Sequence, residues 1–138
     1  MLIFEYFDAF DEQKSKKTHD EFEKYAADNG LRSGYKPFVF VAKEGDEEVG
    51  IIAGHTCYEE VHVANLIVNE GHRRKGIGSK LLQQVEEHFK GKGFEHINLD
   101  TFAFQAPKFY EKCGFSVEFV RKNKENEKLN RYFLAKYF

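Results

Sequence analysis

Residues 65–87 read NLIVNEGHRRKGIGSKLLQQVEE, and the fold turns on this stretch. Leu66-Ile67-Val68 is an apolar run of the kind that ends a buried strand. From Ile77 onward, Ile77, Leu81, Leu82, Val85 and Phe89 recur at three- and four-residue spacing and mark one stripe of a helix. Between them stands Arg73-Arg74-Lys75-Gly76-Ile77-Gly78. A helix start carries unpaired N–H groups and the positive end of the helix dipole. Glycine lets the backbone approach a ligand closely, and the basic side chains add charge. The turn therefore suits a phosphate-bearing ligand.

Spacing excludes two common phosphate loops. The pattern GxxxxGK[ST] does not occur. A dinucleotide fingerprint GxGxxG fails because Leu81 stands where the third glycine belongs. What remains is RxxGxG opening a helix, a pattern that a solvated strand-to-helix turn also produces.

Outward from the turn, the chain reads as alternating strands and helices. Upstream, 2–7 (LIFEYF) reads as a first strand and 11–29 as a helix, stopped by Asn29-Gly30. Phe22, Tyr25 and Ala26 give that helix a modest apolar stripe. Lys36-Pro37 precedes a strand at 38–42, and Glu44 to Glu48 is a hairpin turn in which Gly45 is free to take positive φ. The strand returns over 49–57, where Gly50 and Gly54 mark a bulge or a close backbone approach. A further strand runs over 61–68. Downstream, the helix 76–89 ends at Gly91-Lys92-Gly93. A strand follows at 94–100, with Ile97 and Leu99 on one side. Strand, helix and strand of this size imply a parallel pair joined by a right-handed crossover. A short helix at 105–112 accepts Pro107 in its first turn. A strand at 115–121, a polar loop at 122–130 and a last strand at 132–137 complete the chain.

The length, 138 residues, is enough for one domain with a real core, and no repeat or linker divides it. With 41% hydrophobic residues the chain is not of the disordered class. No run of eighteen apolar residues is present, so no membrane span is expected. The first residues lack the pattern of a secretory signal, and two distant cysteines, Cys57 and Cys113, point to a cytoplasmic, reducing location. The net charge of −2 hides an asymmetry. Residues 1–60 hold 7 basic and 14 acidic side chains, a balance of −7, and residues 61–138 hold 14 and 9, a balance of +5. An acidic first half suits a cationic partner if it faces the ligand. Nothing in the balance supports nucleic-acid binding.

A second stretch, residues 99–115, reads LDTFAFQAPKFYEKCGF. Together with GHRRKGIGSKLLQQVEE and the terminal RYFLAKYF it resembles the GNAT superfamily of N-acetyltransferases, in its small single-domain branch. The resemblance covers roughly residues 36–138, with both motifs in the family's order. It implies an α/β fold: a mixed, mostly antiparallel central sheet, helices on both faces, and a splayed parallel pair formed by the family's fourth and fifth strands, here 61–68 and 94–100. It implies a single N-acetyltransferase domain over 1–138, with an acceptor-side region at about 8–36 and an acetyl-CoA-binding core at about 61–115.

The resemblance also assigns residues. Leu66, Ile67 and Val68 would lie beside the pantetheine arm. Arg73, Arg74, Lys75, Gly76, Ile77, Gly78 and Ser79 would hold the pyrophosphate, with Arg74 and Lys75 equally readable as solvated charges. Ala106 and Phe109 would pack along the arm. Tyr110 matches the family tyrosine near the thioester sulfur, where a phenol can donate at neutral pH. One departure stands out: an asparagine common in the family seven residues before that tyrosine is Ala103 here, and Gln105 is the nearby substitute. Glu70, His55, His62 and Asp100 are open candidates for a general base. The six histidines show no metal-ligand spacing, so no metal is expected. Cys113 has no activating base in the sequence, which favours direct transfer. The implied activity is acetyl-CoA-dependent acetylation of a primary amine, with a small-molecule acceptor favoured over a protein one. A non-catalytic acyl-CoA sensor is the alternative. The aromatic strand 132–138 could serve a homodimer or be an ordinary sheet edge.

Overall fold

β-branched and aromatic residues at 36–68 form three consecutive strands because each can bury one face against the amphipathic helix that follows them. The computed structural model describes residues 1–138. The strands are β1 (Lys36–Glu44), β2 (Glu47–Cys57) and β3 (Glu60–Val68); helix α2 (Ile77–Phe89) follows, after an earlier helix α1 (Glu12–Asp28). Then come β4 (His96–Phe102), α3 (Pro107–Lys112), β5 (Ser116–Arg121), a 3₁₀ turn (Glu127–Leu129) and β6 (Arg131–Tyr137). No helix is long and apolar enough to cross a membrane.

The chain forms two compact units, Met1–Ser33 and Gly34–Phe138. In the first, Asp11 caps α1 by accepting from the Lys14 amide at 2.7 Å. Ser33 Oγ donates to the Glu23 carboxylate. The strand expected at 2–7 does not form: residues 1–10 have no helix or strand. An apolar run becomes a strand only when a ladder satisfies its backbone, and this one makes none. The apolar stripe expected on α1 is reduced to Ala26; Phe22 and Tyr25 are exposed.

The second unit is a six-stranded sheet in the order β1-β2-β3-β4-β6-β5. All neighbours are antiparallel except β3 and β4. That parallel pair is registered only at Glu60↔His96, Val61↔Ile97 and His62↔Asn98. Beyond His62 and Asn98 the two strands part, as the resemblance implied. Helix α2 buries Leu81, Leu82, Val85 and Phe89 against Ile52, Val61, Val63, Ile97, Leu99 and Leu134. Each such side chain contributes roughly 1.5–3 kcal/mol. Lys136 ties β6 to this helix through Glu86 at 2.8 Å.

Two glycines shape the sheet. A Cβ on Gly50 would press on Ile77 and Leu81, each 3.2 Å away, so α2 seats directly on bare backbone. A Cβ on Gly54 would overlap the carbonyl of His62. The β2–β3 register shifts at that point, from Ala53↔Asn65 to Gly54↔Val63, leaving Ala64 as the extra residue of a bulge. The C-terminal strand also differs from expectation. β6 lies between β4 and β5, so it is not a sheet edge and offers no free backbone edge to a second copy.

Candidate active site

The turn after β3 is built from local chemistry. Arg73 folds back so that its Nε donates to the Val68 carbonyl at 3.0 Å, pinning the turn to the strand end. Arg74 and Gly76 take left-handed conformations, with φ of 65° and 77°. Glycine does this freely, whereas arginine does so at a cost. Gly76 thereby caps α2 with no side-chain hydrogen bond, and the first turn holds no acidic residue. The first intrahelical bond is Lys80 N–H to Gly76 carbonyl. The amides of the first turn are left as donors beside two arginines, the arrangement that favours an anion.

Opposite the turn, α3 presents Phe109 and Tyr110. Between them and the β3 end lies a cleft of ≈ 410 Å³. Its walls are Leu66, Val68, His72, Arg73, Arg74, Gly76, Ile77, Gly78, Ser79, Ala106, Phe109 and Tyr110. A Cβ on Gly78 would stand 3.2 Å from the Phe109 ring, so the helix start and α3 approach closely because that residue is glycine.

Ten of the twelve expected cofactor-side residues line this cleft together with Tyr110, and the side chains of the other two, Ile67 and Lys75, do not. Strand alternation sends Ile67 to the face opposite Leu66 and Val68, where it is 56% exposed. Lys75 projects to solvent. Gln105 is absent too, because its side-chain oxygen accepts from the Phe102 amide at 3.0 Å and from Thr101 Oγ1 at 3.3 Å. It closes its own loop. His72 lines the cleft and was not singled out by its motif position. Its ring nitrogens lie 3.4 and 3.5 Å from Glu44 and Glu47, ion-pair distance without a hydrogen bond to Nδ1.

Burial, with Cys113 close by, pushes the Tyr110 phenol up to about 12. The hydroxyl therefore stays protonated across the working pH range. It is a poorer acid than an ordinary phenol, so it serves better as a hydrogen-bond donor to a leaving sulfur than as a full proton donor. Cys113 is outside the cleft lining, and its Sγ has only a long contact of 3.9 Å with Ser79 Oγ.

The candidate bases separate by position. Glu70 is exposed in the turn. Asp100 is engaged by Arg131 through Nε at 2.9 Å and Nη2 at 2.6 Å. The His55 and His62 rings lie side by side at a tilt of 44°, with centroids 5.2 Å apart, and the Tyr35 ring is 5.1 Å from that of His55. Burial holds the His55 imidazole below its usual pKa; the neighbouring His62 adds to the shift and Glu60 opposes it. Sequence spacing gave no sign that His62 also meets Asn98, 36 positions later, with its Nδ1 2.6 Å from Asn98 Oδ1.

Comparisons with known proteins agree with this architecture. Over 77 residues the chain is 32% identical to the blasticidin-S acetyltransferase of Streptomyces morookaense, a match covering 55% of this chain and 57% of that protein. The chain thus spans little more than half the length of the curated relatives it matches. The crystal structure of an acetyltransferase from Bacillus cereus superposes with a TM-score of 0.78 at 25% identity, over 97% of this chain and 98% of the other. An aminoglycoside 6'-N-acetyltransferase crystallised with coenzyme A shares the fold, at a TM-score of 0.66 and 18% identity over 99% and 97% of the two chains. The profile described as Acetyltransferase (GNAT) family matches residues 2–115. With most of its length under that profile, and the splayed strands and helix-start turn in place, this chain belongs to the GNAT acetyltransferase family.

Proposed function

We propose that the protein transfers an acetyl group from acetyl-CoA to a primary amine of a small molecule, by direct attack while donor and acceptor are bound together. The observation that carries this reading is the single cleft that gathers an uncapped helix start, Arg73, Arg74 and the neutral Tyr110 phenol. Acetyl-CoA supplies a thioester as acyl donor. The amides of Ile77, Gly78 and Ser79 and the two arginines bind its phosphates. Bare backbone at Gly78 lets the start of α2 close against Phe109, which brings α3 up as the facing wall of the cleft. Leu66, Val68, Ala106 and Phe109 give that arm an apolar wall which excludes water. Tyr110 offers its hydroxyl to the departing sulfur.

Direct attack is favoured because the cleft lacks an activated nucleophile. Cys113 is not in its lining, and the side-chain hydrogen-bond contact of Ser79 is with the Cys113 sulfur, at 3.9 Å, not with a base. A small-molecule acceptor is favoured by the likeness to an enzyme named for blasticidin S. A cytoplasmic setting fits two cysteines that form no disulfide.

The test has two stages. Thermal unfolding is measured with acetyl-CoA, with ATP as control; a ligand of the native state raises the apparent Tm. Release of coenzyme A is then followed with blasticidin S, kanamycin and spermidine as amines. A rise with acetyl-CoA and amine-dependent release support the reading. A Tm unmoved at millimolar acetyl-CoA overturns it.

A further inference from the structure

On the sheet face turned away from α2, side chains of β3 and β4, with Glu95 just before β4, form a hydrogen-bonded chain that ends where the two strands part. His62 and Asn98 are the last registered pair of the parallel strands. His62 Nδ1 lies 2.6 Å from Asn98 Oδ1. Asn98 Nδ2 lies 3.1 Å from His96 Nε2. His96 Nδ1 lies 3.0 Å from Glu95 Oε1. His96 is buried, so its polar atoms need these partners.

The chain has one consistent proton assignment when both imidazoles are neutral, and it follows from the end that is fixed. A carboxylate only accepts, so His96 Nδ1 carries hydrogen and donates to Glu95. His96 Nε2 is then a lone pair and accepts from the Asn98 amide nitrogen. Asn98 Oδ1 accepts in turn from His62 Nδ1–H. This leaves His62 Nε2 as a lone pair. The backbone holds His62 in place as well: no Cβ fits between Gly54 and the His62 carbonyl, and the bulge at Ala64 lies just beyond.

We propose that His62 is the general base of the acetyl transfer, taking the proton of the acceptor amine on Nε2, and that Asn98, His96 and Glu95 are positioning residues that fix its tautomer. The proposal rests on the acetyltransferase reading above. In this proposal the acceptor nitrogen reaches the acyl carbon through the opening that begins where β3 and β4 part, beyond His62 and Asn98. As the nitrogen–carbon bond forms and the carbon–sulfur bond breaks, the nitrogen becomes strongly acidic. Its proton passes to His62 Nε2 and then to water, and the electron pair of the broken bond leaves on sulfur beside Tyr110. A protonated His62 keeps its Nδ1–H on the Asn98 amide oxygen.

His62 has titratable and charged neighbours along this face of the sheet. His55 lies beside it on β2, with Tyr35 over His55. Glu60 approaches His96 at 3.7 Å from β3, and Tyr137 of β6 packs on His96 with centroids 5.1 Å apart. Asp100, next along the same face of β4, is neutralised by Arg131. No other side chain on this face combines a free basic nitrogen with a place at the parting of the strands.

Wild type, His62→Gln, Asn98→Ala and Asn98→Asp are compared in coenzyme A release across pH, with blasticidin S, kanamycin and spermidine as probes, and in the acetyl-CoA thermal shift. For His62→Gln the expected result is a loss of about 100-fold in kcat/KM, no fall in rate on the acid side, and an unchanged thermal shift. Asn98→Ala loses about 10-fold in kcat with the KM for acetyl-CoA unchanged, and Asn98→Asp recovers rate with its acid limb moved to higher pH, since a carboxylate favours the imidazolium. Wild type that shifts and turns over while His62→Gln keeps its rate and pH profile overturns the proposal alone. Wild type that neither shifts nor releases coenzyme A with any probe overturns the underlying reading and the proposal with it. Imidazole nitrogen NMR gives a check that needs no acceptor: the Nδ1–H form of His62 is expected, and the Nε2–H form overturns the proposal.

Discussion

The two ends of β3 carry chemistry in opposite ways. At the Val68 end, the site is made of consecutive residues and of backbone: an arginine bonded to the carbonyl five residues before it, a left-handed glycine and the open amides of a helix start. At the Glu60 end, the candidate site is made of side chains from β2, β3 and β4, and the contact at its centre spans 36 positions. The first kind survives any reading that respects order and spacing. The second exists only once the parallel register sets His62 beside Asn98. Predictions that separate the two ends should change one property at a time: ligand affinity at the Val68 end, proton handling at the Glu60 end.

The largest effect is expected where the Glu60 end meets the fold itself. Gly54→Ala places a methyl group on the His62 carbonyl, and a backbone atom cannot step aside. A loss of about 3 kcal/mol in unfolding free energy is expected by urea denaturation. An unchanged midpoint would show that the bulge relaxes and that His62 is less firmly placed than its neighbours suggest.

Tyr110 lines the cleft at the Val68 end. Its hydroxyl donates to no protein acceptor, so Tyr110→Phe should cost little stability. A fall of about 10- to 100-fold in kcat is expected, with the acetyl-CoA thermal shift retained. Equal loss of the shift would move Tyr110 from the leaving sulfur to plain packing in the cleft wall.

At the Val68 end, Arg74 pays for its place with a φ of 65°. Arg74→Gly relieves that strain and adds glycine's chain entropy, two terms that nearly cancel, so stability should stay within about 0.5 kcal/mol. Affinity for acetyl-CoA, read from the concentration dependence of the thermal shift, should fall about 10-fold with the loss of a charged phosphate donor. Affinity that holds would make Arg74 a solvated turn residue after all.

How far the sequence could be read follows the same division. Helix α2 was legible because its apolar stripe is periodic and its core partners are many. The cleft at the turn was legible because the residues are contiguous. At Ile67 alternation turns the side chain to the other face, so what the resemblance implies there is a backbone contact and not a side-chain one. The run at 2–7 has the composition of a strand, but pairing decides a strand and composition does not. The position of β6 between β4 and β5 is a matter of non-local order, and so is the His62–Asn98 contact. His72, Asn98 and His96 carried no signal that a single sequence offers.

The smallest expected effect is in the pH dependence of stability, and it can tell the ends apart without any ligand. The His55 pKa is lower in the folded protein than in the unfolded chain, chiefly by burial and then by His62. Below the unfolded value, near 6.5, the unfolded state binds more protons, so stability falls as the pH drops through and below that point. Tyr110 works in the other direction. Its phenol is raised to about 12 from 10.0, so above pH 10 the unfolded chain gives up its proton first, and stability falls as the pH rises towards 12. His55→Gln should flatten the acid side alone, and Tyr110→Phe the alkaline side alone. Because His55 remains partly exposed, the acid effect is the weaker of the two. If His55→Gln leaves the acid side unchanged, His55 is not buried enough at the Glu60 end for desolvation to matter to stability.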